Sequence, residues 1–195
     1  TIIVSDDPDV IEPLSAVASS PAEPGRKQEV KVLPSSRTAE IDWDKAALIL
    51  WQAALPAADD IIAKQLAHHV STGRSVLVLP PTTGTSDHAF LGLRWGDWKN
   101  VPKSENTAAI GWWRASDDLL ANTRGGTALP VGELEVLRHC KIEGDSTALA
   151  RLLTGDTLLA RASLDQTNAW FCGTLPGSNQ SSLARDGVVL YVMVQ

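Results

Sequence analysis

No run of lysine and arginine occurs in these 195 residues, and 17 basic side chains face 23 acidic ones, for a net charge of −6. Nucleic-acid affinity rests mainly on Lys and Arg neutralising phosphates, so a nucleic-acid partner is not expected. Cysteine is nearly absent. Cys140 and Cys172 stand far apart, so the sequence contains no zinc-type or redox pair. A disulfide between them stays open, but two buried free thiols are the expectation, because free Cys behaves as a small hydrophobe. No apolar stretch reaches the ~18–20 residues of a membrane span, and no basic leader opens the chain. A phosphate loop needs G-x-x-x-x-G-K-[ST]. Pro81-Thr82-Thr83-Gly84-Thr85 lacks its first Gly and its Lys, and Gly92–Gly96 and Arg124-Gly125-Gly126 fit no better. No cofactor or metal is expected.

What is present is an α/β pattern. Thr1–Val4 reads as a buried strand. Asp7 is placed to cap a helix, Pro8 suits its first position, and Val10, Ile11, Leu14 and Val17 recur at helical spacing. Pro13 is the weak point of that helix. Glu29–Leu33 alternates as a second strand. Ala46–Trp51 is a continuous apolar run, suited to a strand covered on both faces. Pro56–Thr72 reads as a helix with Ile62, Leu66, His69 and Val70 inward, and Asp60, Lys64 and His68 along a solvent line. Gly73 closes it, and Ser75–Leu79 is a fourth strand. This order predicts an open, mostly parallel sheet with helices on its faces, within one domain spanning 1–195.

Residues 80–130 read as a long irregular insertion holding Trp95, Trp98, Trp112 and Trp113. A loop of that length is usually functional or carries structure of its own. Two readings of the tryptophans stand side by side: an interaction surface, or core under a long excursion. Beyond it, Leu134–Ile142, Thr157–Ala162 and Ala169–Thr174 read as strands. The last two form an antiparallel hairpin turning at Asp165–Asn168. Ser181–Gln195 reads as a closing helix, with its valines leaving strand open. The apolar character of both ends makes the chain read as an excised piece of a longer protein.

The chemistry-bearing residue types are sparse. His68 and His69 are neighbours, about 100° apart on a helix, so one packs and one stays wet rather than both binding a metal. Ser86-Asp87-His88 has triad residue types, but triads assemble from separate segments.

Three strings carry a resemblance. Thr72-Gly73-Arg74 leading into Ser75–Leu79, then Leu152–Arg161, then Ala169–Pro176 followed by Ser181–Gly187, are similar to class I glutamine amidotransferase-like domains. The nearest likeness is to the version in bacterial membrane proteins that carry a Bat-type (aerotolerance) membrane segment and a von Willebrand factor A domain. The resemblance implies a flavodoxin-like three-layer α/β sandwich, mostly parallel, with antiparallel strands added in the C-terminal half. It implies a soluble domain of a membrane-anchored parent, whose partner is another protein or another domain of the same chain. It would also place a nucleophilic Cys after the strand 75–79. That turn reads Leu79-Pro80-Pro81-Thr82-Thr83-Gly84, with no Cys, and the family's late His-x-Glu is absent. His139 and Cys140 are adjacent in a strand and point to opposite faces, so they are no substitute pair.

No catalytic residue carries over. The expected function is therefore non-catalytic, as an interaction or ligand-sensing module. Asp6, Thr82, Thr83 and Ser86 mark its binding cleft, and the exposed part of the tryptophan segment meets a partner. No His, Lys, Asp or Glu is expected within hydrogen-bond distance of Thr82, Thr83 or Ser86 in an open pocket. The alternative is a hydrolase using Thr82, Thr83 or Ser86 as nucleophile.

Overall fold

A computed structural model describes residues 1–21, 28–82, 87–101, 109–122, 126–163, 168–185 and 187–195. It is a mixed α/β protein. Eight strands form one sheet in the order β2 (Lys31–Leu33), β1 (Ile2–Ser5), β3 (Leu48–Gln52), β4 (Ser75–Leu79), β10 (Ala169–Cys172), β9 (Thr157–Ala162), β8 (Ser146–Leu152) and β6 (Ile110–Trp113). The first five run parallel, as anticipated for 1–4, 30–33, 47–51 and 75–79. The last three are antiparallel, including the β9–β10 hairpin. A second, two-stranded sheet pairs β5 (Arg94–Asn100) with β7 (Arg138–Glu143).

The apolar runs of the central strands exist because both faces are covered. In β3, Ile49 and Trp51 face one core and Leu50 the other. In β4, Val76 and Val78 share the first core, Leu77 and Leu79 the second. Helix α2 (Ile61–Ser71) delivers Leu66 and Val70 to the first core. Helices α1 (Pro8–Ser19) and α3 (Gly187–Val194) deliver Val10, Leu14, Val189 and Leu190 to the second. Each such side chain contributes about 1.5–3 kcal/mol of burial.

Helix α1 begins as its sequence dictates. Asp7 caps it by accepting from the Asp9 amide at 3.0 Å, and Pro8 opens its first turn. Pro13 is accommodated inside it. Helix α2 starts later than the apolar spacing implied, at Ile61 rather than near Pro56, because the Asp60 carboxylate accepts from the Ile62 amide and fixes the boundary there. Gly73 closes it at φ +83°. The C-terminal helix likewise begins at Gly187, not Ser181.

Three readings of the chain need correction. The insertion 80–130 is not irregular, since β5 and β6 lie within it. Strand β7 starts at Arg138 rather than Leu134, behind a 3-10 turn at Val131–Glu133. Strand β8 was not anticipated at all, although Ser146–Leu152 pairs on both sides and bulges twice against β9. The turn at 164–167 lies outside the described residues.

Gly173 holds the two sheets together. Its carbonyl accepts from the Cys140 amide at 2.6 Å, and a β-carbon there would stand 2.7 Å from the Cys140 carbonyl oxygen. Only hydrogen fits so close an approach of β7 to the end of β10. Both cysteines are buried and unbonded, as expected. Cys140 packs in one core and Cys172 in the other, so the sheet separates them.

Candidate binding cleft

The chain order reverses between β1 and β3: from β1 the next strand lies on one side, and the one after it on the other. Open α/β sheets bind ligands outside the carboxyl ends of strands at such a point. The polar residues there are tied into one network. Ser5, at the end of β1, donates to Gln52 Oε1 at 2.6 Å, and both side chains are buried. Gln52, at the end of β3, donates through Nε2 to the Pro80 carbonyl at 3.1 Å and to Thr82 Oγ1 at 3.3 Å. Thr82 Oγ1 in turn donates to Asp7 Oδ2 at 3.2 Å.

This arrangement alters two expectations. A carboxylate does stand within hydrogen-bond reach of Thr82, contrary to the reading that no charged base would. It is Asp7, whose other oxygen caps α1. Asp6 faces elsewhere and accepts from the Ser35 amide at 3.0 Å, so it organises the loop after β2 instead of Thr82. Thr83 and Ser86 lie outside the described residues. Asp87 and His88 are exposed. The Asp7–Thr82 bond positions the hydroxyl, but activating a hydroxyl requires a base that is itself oriented and free to take the proton. Asp7 is already engaged at both oxygens.

The far side of the same strand ends is built by β5 and β7. The Trp98 indole Nε1–H donates to the Pro81 carbonyl at 3.1 Å, one residue from Thr82. The Arg138 guanidinium lies over the Trp98 ring, 4.6 Å from its centroid. Arg138 is anchored by its backbone: its amide donates to the Gln180 carbonyl at 3.0 Å, and its carbonyl accepts from Thr174 Oγ1 at 2.8 Å. Thr174 follows the end of β10, so this Arg–Trp pair stands at the carboxyl ends of β4 and β10. Sequence reasoning missed Gln52, Arg138 and Ser5. Gln52 closing an otherwise apolar strand was the one available signal.

On the opposite side of β5 and β7, Lys99 and His139 face each other in register and converge on Asp156, just before β9. Lys99 Nζ lies 3.2 Å from Asp156 Oδ1, and His139 Nε2 lies 3.2 Å from Oδ2. Burial holds the His139 imidazole below its usual range, against the pull of Asp156, so it is neutral at pH 7. Burial by itself would raise the Asp156 carboxyl. Lys99 and His139 together outweigh it and hold that carboxyl below the usual range.

The four tryptophans separate by environment. Trp95 is core, 1% exposed and 5.2 Å from the Phe171 ring, and so offers no surface to a partner. Trp98 and Trp113 are half-buried, and only Trp112, at 46% exposure, faces solvent. His69 is buried and His68 exposed, as their spacing implied. Burial, then the Arg74 charge, lowers the His69 pKa. Its ring nitrogens approach the backbone of Trp43 and Ser75 without reaching hydrogen-bond geometry. Among the described residues no cluster of His, Cys, Asp and Glu fits a metal ion, and no helix is long and apolar enough to cross a membrane.

The chain matches no protein-family model and no curated protein. Solved structures do resemble it. A β-galactosidase from the psychrophilic Marinomonas ef1 aligns over 99% of this chain and 28% of its own, with TM-score 0.53 and 12% identity. The exo-β-1,4-mannosidase Op5Man5 from Opitutaceae bacterium strain TAV5 aligns over 96% of this chain and 32% of its own, with TM-score 0.49 and 13% identity. This chain thus spans about a third or less of either enzyme's length, and at such identity the likeness to the β-galactosidase is one of fold alone.

Proposed function

We propose that this is a non-catalytic α/β domain of the amidotransferase-like kind, a flavodoxin-like three-layer sandwich borne by a membrane-anchored bacterial parent. It binds a ligand, or another protein or domain of its own parent chain, at the carboxyl ends of its parallel strands. Helices α1 and α3 packed in one core and α2 in the other support the three-layer reading. One observation carries the functional reading. In the described part of the turn where the resemblance would seat a nucleophile, the polar groups are taken up by hydrogen bonding: the Pro80 carbonyl by Gln52, the Pro81 carbonyl by Trp98, and the Thr82 hydroxyl by Gln52 and Asp7. Of the tryptophan segment, Trp112 is left to meet a partner.

The Asp7–Thr82 bond favours a second reading, a hydrolase with Thr82 as nucleophile and Asp7 as base. Glutaminase, esterase and peptidase assays on the purified domain separate the two. Background rates, unchanged in Thr82→Val, support the binding domain. A rate above background that Thr82→Val abolishes establishes the hydrolase. The gene around this segment tests the parent, since flanking membrane helices and a von Willebrand factor A domain are expected there.

A further inference from the structure

We infer that Arg138 anchors an oxyanion subsite at the carboxyl end of the sheet, accepting a carboxylate or phosphate group of the bound molecule. The inference deepens the binding function proposed above and takes its location from that reading.

The other described arginines all have oxygen acceptors. Five of the described ones pair with carboxylates. Arg74 donates to the carbonyls of Trp43 and Asp44, and Arg151 reaches the Gly155 carbonyl at 3.5 Å. Arg138 alone among the described arginines has no acceptor for its guanidinium, though it is half-buried in a protein of net charge −6. Carboxylates are plentiful, and a half-buried cation without one forgoes both hydration and pairing. Asp156 is held by Lys99 and His139 on the opposite side of the strand pair.

The geometry explains what the unpaired group is prepared for. The guanidinium carbon lies over the Trp98 ring, and a ring face takes the charge without engaging N–H donors as an oxygen acceptor would. That leaves the donors of the guanidinium, which lie in one plane as a fork matched to two oxygens of a carboxylate or phosphate. The ring and the backbone that carries the guanidinium are fixed in advance. The Trp98 ring is pinned to the Pro81 carbonyl, and the Arg138 backbone to Gln180 and Thr174. Little freedom remains to be lost when an anion arrives, and that is the condition under which one charge pair confers affinity. The position, above the ends of β4 and β10, lies on the carboxyl side of the parallel strands, the same side as the switch point between β1 and β3.

The test is a titration of the folded, 15N-labelled domain at constant ionic strength with sodium phosphate, with sodium succinate and with sodium chloride. It follows the Trp98 indole N–H and the arginine Nε–H resonances. Saturable shifts of the Trp98 and Arg138 signals are expected with phosphate or succinate and not with chloride. Arg138→Gln should lose them, and Arg138→Lys, which keeps the charge and loses the fork, should weaken them while the remaining spectrum stays that of the native fold. Response to phosphate alone assigns a phosphoryl ligand, and response to succinate alone a carboxylate. Absence of a saturable shift, or an equal shift in Arg138→Gln, overturns the subsite. Hydrolytic activity with the anion response intact would instead overturn the non-catalytic reading and leave the subsite standing.

Discussion

The indole Nε1–H of Trp170 donates to Oδ1 of Asp118 at 2.7 Å, and the same carboxylate pairs through Oδ2 with Arg161 at 2.8 Å. Trp170 and Arg161 are cross-strand partners on β10 and β9. Asp118 therefore clamps the loop after β6 onto the middle of the sheet, and it does so from a left-handed backbone at φ +67°. That conformation costs a non-glycine residue of order 1–3 kcal/mol unless its surroundings impose it. Asp118→Ala should destabilise the protein by about 1–3 kcal/mol, because it leaves the half-buried Trp170 donor without its acceptor and removes the partner of Arg161. Asp118→Asn retains an acceptor and a residue type that tolerates this backbone, and should cost clearly less. Urea midpoints of the two variants check the order. Midpoints of both variants equal to that of the native protein would show that the clamp contributes nothing.

The thiols should be silent in the native state. Burial pushes the Cys140 thiol up to about 12 and the Cys172 thiol up to about 11. The thiolate is the reacting form, so at pH 8 neither side chain supplies an appreciable amount. A thiol-reactive disulfide reagent should label neither cysteine before unfolding and both in denaturant. Rapid labelling of one thiol in the native protein would contradict the packing described.

Stability should fall on acidification, in two stages. His139 has a lowered pKa in the fold, so the unfolded chain takes up its proton first, near the usual ~6.5. Its contribution is complete above that value and is lost as the pH drops toward the folded pKa. His69 behaves in the same sense. Asp156 is also lowered, and its contribution disappears only below the usual ~3.9 of a free aspartate. Urea midpoints should therefore decline between pH 7.5 and pH 5, and decline again below pH 4. His139→Gln should be less stable at pH 7.5 but should flatten the first decline. An unaltered slope in that variant would remove His139 from the account.

Much of this fold was determined by the sequence alone. Continuous apolar runs at 46–51 and 75–79 have no stable place except a strand covered on both faces. Asp7-Pro8 and Gly73 state where helices begin and end through their own backbone chemistry. These are local signals, readable without knowing what lies opposite. The absence of a Cys from the turn 79–84 was likewise plain from the sequence, because a missing residue needs no coordinates to be noticed. Tertiary structure decided the rest. Strand β8 carries weak alternation of its own and is a strand because β9 and β6 flank it. Gly173 matters only because the Cys140 carbonyl of β7 would stand 2.7 Å from a β-carbon there. Trp95 and Trp112 look alike in sequence, yet one lies in the core and the other in solvent. The cleft shows the division most clearly. Ser5, Gln52 and Thr82 lie 47 and 30 residues apart along the chain, and Trp98 and Arg138 come from a separate sheet. Hydrogen bonds between residues so distant have no sequence period to announce them, so only the folded chain brings those side chains together.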